Sequence, residues 1–327
     1  MKRREFITLL GGAAVWPLGA RAQKPVPVIA LLGSDAVDAP SSVALMRSFD
    51  IGMREIGLVK ERDCVLETRW AGSDSSRFPA LAAELLAHRP SAVVVSTVLA
   101  AKVVQSLSRT LPIVMTGLND PVAAGLVASL ARPGGNITGV STMAEDVLLK
   151  VLEMMREALP DVRRLAAMTN PTNPSNRMML EVLTRQAAQA ELSVGAVRVA
   201  TPGDLDAAFA ELARERPGAL FVLTDNSLLG LADTIVARAL ALRVPTFGNF
   251  GLPFVQAGAL FAYARDQKEA FQSVARLLKK ILDGANPADL PVEQPTKFVL
   301  MINLKTARSL GVIMPPSLLA RADEVIE

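Results

Sequence analysis

The sequence predicts an α/β protein made of two Rossmann-like lobes, each built on a parallel sheet. Three observations predict it. Short apolar runs recur along the chain, amphipathic helical stretches separate them, and one helix–strand unit occurs twice.

The apolar runs include residues 28–32 (VIALL), 92–95 (AVVV), 113–115 (IVM), 165–168 (LAAM), 219–223 (ALFVL) and 259–261 (ALF). They are continuous rather than alternating, as suits parallel strands covered on both faces. Helical signals stand between them. Thr201-Pro202 reads as an N-cap followed by proline at the first helical position. Leu205, Ala208, Phe209 and Leu212 then follow at i, i+3, i+4 and i+7, one apolar stripe that Pro217 ends. Strands alternating with helices read as βαβ units and an open sheet.

The repeat pairs residues 83–97 (AELLAHRPSAVVVST) with residues 210–224 (AELARERPGALFVLT), identical at eight of 15 positions. Each copy is a helix end, a proline turn, a buried strand and a threonine, Thr97 or Thr224. Each leads through a helical stretch to a short strand beginning at proline, Pro112 or Pro245. The shared order points to a duplicated lobe. The expected division is 23–143 with about 265–290 for lobe 1, and 144–264 with about 291–327 for lobe 2. In open α/β sheets, ligands bind beyond the carboxyl ends of the strands. Two lobes facing each other there enclose a cleft with Thr97 and Thr224 on its walls.

The first 22 residues read as an export signal. Lys2, Arg3 and Arg4 lead, an apolar stretch follows from Phe6 to Gly19, and Ala20-Arg21-Ala22 supplies an A-x-A cleavage site after Ala22. The apolar stretch is shorter than the ~20 residues a bilayer span needs. Arg3-Arg4 followed by Glu5-Phe6-Ile7 favours twin-arginine over general secretion. A periplasmic destination follows. The chain has 35 basic and 32 acidic residues. The signal holds Lys2, Arg3, Arg4 and Arg21 against Glu5, so the remainder balances at zero net charge. That removes the electrostatic case for nucleic acid as a partner. The single cysteine, Cys64, reads as core and His88, the single histidine, as a solvated helix end. No H-E-x-x-H, C-x-x-C, G-x-S-x-G, Walker A or G-x-G-x-x-G pattern occurs, so no metal, cofactor or catalytic residue is expected. Asn136-Ile137-Thr138 reads as a turn entering a strand.

Polar residues gather at the strand ends: Gly33-Ser34-Asp35, Ser96-Thr97, residues 117–121 (GLNDP), residues 170–176 (NPTNPSN) and Thr224-Asp225-Asn226. Hydroxyls and helix N-termini suit a carboxylate, and Asp225 suits an ammonium group. Together they would fit a zwitterion such as an amino acid. Taken singly, each is also an ordinary turn or cap residue.

Residues 126–139 (LVASLARPGGNITG), 302–307 (INLKTA) and 315–326 (PPSLLARADEVI) resemble a family of bacterial ABC-transporter substrate-binding proteins that includes the tryptophan/tyrosine-binding type. Thr224-Asp225-Asn226 and residues 258–263 (GALFAY) resemble its amino-acid-binding branch. The resemblance implies a type I periplasmic-binding-protein fold, with two lobes joined by hinge strands and closing on one small ligand. Carried over by position, its ligand contacts fall near Ser34, Ser96, Thr97, Asn119, Asp120, Asn173, Asn176, Asp225 and Asn226. The chain departs at Tyr263-Ala264, where many members have Tyr-Gly, and in the loop 34–40. The implied function is non-enzymatic: a monomeric solute-binding component that captures a small organic molecule for a membrane permease. A sensory binding protein is the alternative; an exported hydrolase lacks a nucleophile–base pair.

Overall fold

The computed structural model describes residues 26–327; the expected signal, 1–22, lies outside the described residues. The apolar runs fall on strands because both faces of those strands meet helices, except that of 259–261 only Phe261 enters one. The first sheet holds β1 (Val28–Gly33), β2 (Val65–Trp70), β3 (Ala92–Val95), β4 (Ile113–Leu118) and β5 (Ile137–Ser141), ordered β2-β1-β3-β4-β5 and all parallel. Its faces are covered separately. Phe78, Leu81, Leu85 and Val104 pack on one side, and Phe49, Met53, Phe271, Val274 and Leu278 on the other.

The second sheet holds β6 (Arg164–Thr169), β7 (Ser193–Arg198), β8 (Ala219–Val222), β9 (Thr246–Gly248), β10 (Phe261–Arg265), β11 (Phe298–Asn303) and β12 (Glu324–Ile326). Its order is β12-β11-β10-β9-β8-β6-β7. From β7 to β10 this repeats the path of the first sheet. Phe221, Phe247 and Phe261 sit in register on β8, β9 and β10 and stack at 5.0 and 5.2 Å between ring centroids. One pairing departs from the all-parallel expectation: β11 runs antiparallel to β10. The reason is the route of the chain. After β10 it leaves for the first lobe, forms the helix Gln267–Leu282 on that lobe's core, and returns to the end of the sheet it left.

The duplicated unit is visible in the backbone. The helices Phe78–Ala87 and Leu205–Glu215 each lead to a left-handed arginine, Arg89 (φ 51°) and Arg216 (φ 46°), followed by Pro90 or Pro217 and a strand buried at all four positions. Leu205, Ala208, Phe209 and Leu212 form the buried stripe read from their spacing. Thr201 and Pro202 open a short 3-10 turn ahead of that helix, where the Asp204 carboxylate accepts from the Thr201 N–H at 2.8 Å. Those bonds hold the Asp204 carboxyl below the usual range. Cys64 is buried, with its thiol pushed up by desolvation, and His88 is exposed at a helix end.

Three stretches cross between the sheets: after β5, after β10, and at 293–298. Val292 still packs in the first lobe's core, Glu293 bridges to Val140 of β5, and Phe298 begins β11.

Candidate ligand cleft

The loop after β1 meets the loop after β8, and the end of β4 meets the end of β10. Among the described residues, one direct bond joins the two walls: Asn226 Nδ2 donates to Ser34 Oγ at 2.9 Å. Beside it, Asp225 lies close enough to Asp35 for its charge to raise the Asp35 carboxyl.

The nine residues expected at the site divide into those committed to the protein's own bonds and those with capacity to spare. Asn176 is fully buried and committed. Its Oδ1 accepts from Asn170 N–H at 2.9 Å and its Nδ2 donates to the Thr224 carbonyl at 2.8 Å, tying the ends of β6 and β8 together. Asp225 is equally occupied. Asn170 Nδ2 donates to both of its oxygens at 3.3 Å, Asn173 Nδ2 donates to Oδ2 at 2.8 Å, and Leu228 N–H donates to Oδ1 at 3.1 Å. Four bonds fill a carboxylate's acceptor sites, and the last one caps the helix Asn226–Gly230. Asn173 caps the helix Pro174–Gln189, Thr97 caps the helix Val98–Leu107, and Asp120 accepts from Ala123 N–H within its turn. Asn119 Oδ1 accepts from Thr142 Oγ1 at 3.3 Å. Ser96 is different: its Oγ is buried at the end of β3 and has no hydrogen-bond partner.

Besides Ser96, four residues carry unmet polar atoms: Ser42 in the helix after β1, Thr246 at the start of β9, and the two that concern the cleft, Asp35 and Arg265. Asp35 is 5% exposed; Ser41 Oγ donates to its Oδ2 at 2.5 Å, but its buried Oδ1 has no partner. Burial pushes its carboxyl up, and the neighbouring Asp225 adds to the rise. Arg265, the last residue of β10, lays its guanidinium across the lobe boundary onto Gly117 of β4; its Nη1 is buried without a partner. Desolvation pushes its pKa down to about 10, with no acidic neighbour to offset it. Buried polar groups are normally satisfied, so each exception calls for a reason. The sequence placed Asp35 in the right loop without choosing it. Arg265 was not singled out, although an arginine closing an apolar strand was the available signal.

Among the described residues, no cluster of His, Cys, Asp and Glu could hold a metal ion, and no helix is long and apolar enough to cross a membrane. A depression lined by Arg164, Ser193, Glu211 and Glu215 lies at the opposite ends of β6 and β7, away from the cleft.

Two lobes of matching topology, apposed at their strand ends around unmet polar atoms, define the two-lobed class of binding protein. The family described as ABC transporter substrate binding protein matches residues 29–326, and the chain belongs to it. A tyrosine-binding protein of Clostridioides difficile is 22% identical over 279 residues, covering 85% of this chain and 80% of that relative. Among solved structures, an ABC domain in complex with L-Trp from Streptococcus pneumoniae matches with TM-score 0.84 and 25% identity, covering 92% of this chain and 99% of that one. The ligand-free, open structure of a substrate binding protein with adhesive properties from Clostridium difficile matches with TM-score 0.68 and 20% identity over the same shares. The fold is that of type I periplasmic binding proteins.

Proposed function

We propose that this protein is the solute-binding component of an ABC importer, taking a small carboxylated solute, first of all an amino acid, into the cleft between its lobes. The observation that carries the reading is the Asn226–Ser34 bond across a cleft whose walls present Ser96, Asp35 and Arg265 with unmet polar atoms. Contacts made only when the lobes are closed favour the closed state, and a permease can read that closure. The tyrosine named for one relative and the tryptophan bound to another support an aromatic amino acid. The nine strand-end residues, from Ser34 to Asn226, form the proposed lining, some by direct contact and others, such as Asn176 and Asp225, by holding the walls in place. No covalent chemistry is needed. Residues 1–22 carry the chain to the periplasm through their twin-arginine pattern, where it works as a monomer with lobes divided near 143, 265 and 293.

A thermal-shift screen of amino acids and aromatic acids tests this. A ligand at 100 times its Kd adds about 2.7 kcal/mol, which a melting curve resolves. Small-angle scattering on any hit should show compaction. A panel with no stabilising compound, or binding without compaction, would overturn the reading.

A further inference from the structure

We propose that Arg265 is the residue of the cleft that recognises the solute's carboxylate, with the Ser96 hydroxyl as its companion donor. The inference rests on the cleft being a solute site and deepens that reading by naming the residues that select a carboxylate.

The geometry around Arg265 is built to hold a guanidinium at that place. β4 pairs with β5 through a register shift between Thr116 and Leu118, so Gly117 is an extra residue in the strand. Such bulges re-aim backbone near functional sites. Gly117 has φ +125°, and a Cβ there would lie 2.1 Å from Arg265 Nη1 and 2.4 Å from Cζ. Glycine at 117 leaves the guanidinium its place there; a larger residue would push it aside. The register Val95↔Met115 puts the end of β3 beside the bulged end of β4, so the unpartnered Ser96 hydroxyl lies at the same end of the first sheet as Gly117. Both orphan donors, Nη1 and Oγ, are shut away from solvent. An arginine with a purely structural role would spend its forked donors on a carboxylate or on carbonyl oxygens. A planar fork with an unused edge matches an incoming carboxylate.

Asp35 supplies the opposite pole. Its Oδ1 is also buried and unpartnered. Its neighbouring charge is Asp225 rather than Arg265, and Arg265 is perturbed by burial alone. The two opposite charges therefore do not neutralise each other. A solute bearing a carboxylate and an ammonium group would meet both, which is the pattern of an α-amino acid.

The test uses the full-length mature protein, Arg265→Met and Arg265→Lys, with calorimetric titration of matched pairs: L-tryptophan and tryptophanamide, L-tyrosine and tyrosinamide, benzoate and benzamide. The wild type is expected to prefer an acid over its amide. Arg265→Met should lose roughly 10- to 150-fold in affinity for that acid, the range of a hydrogen bond to a charged group, while its affinity for the amide stays the same. Arg265→Lys should keep part of the preference. Ligand-free Arg265→Met should unfold in urea at a midpoint no lower than the wild type's, because an unpaired buried charge is removed. Equal affinity for acid and amide, an unchanged acid affinity in Arg265→Met, or a markedly lower midpoint would overturn the assignment. If the wild type binds only solutes without a carboxylate, the assignment falls together with the carboxylated-solute part of the proposed function, while solute capture between the lobes stands. If neither these pairs nor a panel of neutral solutes binds, both fall.

Discussion

Replacing Asn226 by alanine removes the one side-chain bond that spans the cleft among the described residues, Nδ2 to Ser34 Oγ at 2.9 Å. Both residues are partly buried and neutral. A neutral bond of this kind contributes about 0.5–1.5 kcal/mol net, so the ratio of closed to open protein should fall roughly 2- to 12-fold. Because apparent affinity scales with the competent fraction, Kd should rise by up to the same factor when the closed state is the minor one. Asn226 could also touch the ligand, so the decisive measurement is made without ligand. Energy transfer between dyes on surface cysteines, one per lobe, reports the closed fraction directly; Cys64 is buried and stays out of the labelling. Ser34→Ala should produce the same shift, and the double variant should add nothing further, as a double-mutant cycle requires of a single shared bond. An unchanged closed fraction in Asn226→Ala, or fully additive effects of the two substitutions, would refute the latch.

Two other perturbations separate binding from scaffolding. Asp35→Asn should weaken an ammonium-bearing ligand by roughly 10- to 150-fold, the range of a charged hydrogen bond, while stabilising the empty protein at neutral pH. The sign follows from a folded-state carboxyl held above its ordinary value: the native state takes up a proton before the unfolded chain does, so the advantage of Asn over Asp in urea titrations should shrink as pH falls through that raised value toward the ordinary one near 4. Asp225→Ala should destabilise the protein by about 2–4 kcal/mol, because it removes an N-cap and leaves the Asn170 and Asn173 amides without their acceptor. A loss below 1 kcal/mol in chemical denaturation would show that those bonds are not made in solution.

The architecture was legible wherever burial writes itself into local sequence. Residues 92–95 and 219–222 are continuous apolar runs because helices cover both faces of β3 and β8, and the matching proline turns announced the duplication. The site was legible only to the level of loops. An acid following a strand looks the same whether it awaits an ammonium group or caps its own helix; Asp225 does the second because Asn170 and Asn173 arrive from 55 and 52 residues away. Arg265 was missed because its meaning lies in Gly117, a partner on the other lobe. The most recognisable stretch, residues 126–139, works as scaffold. Asn136 Nδ2 donates to the Ser108 and Leu111 carbonyls at 3.0 and 2.7 Å, and Thr138 Oγ1 donates to the Leu290 carbonyl at 2.8 Å. Gly139, at φ +140°, passes so close to Met115 that a Cβ would lie 2.3 Å from its backbone nitrogen. The antiparallel β11 was hidden for a similar reason: strand direction is set by where the chain has been, which no local pattern records.

The helix Gln267–Leu282 has one more consequence, for the order in which the molecule can assemble. Phe271, Val274 and Leu278 close the face of the first sheet that Ile29, Leu31 and Val94 present. Until those residues leave the ribosome, that face is covered only in part, by Phe49 and Met53, and the second sheet still lacks β11 and β12. Multidomain chains commonly fold their amino-terminal unit first. Here the first lobe has to wait for the carboxyl-terminal part of the chain, so the two halves mature together and a nascent chain stays open almost to its end.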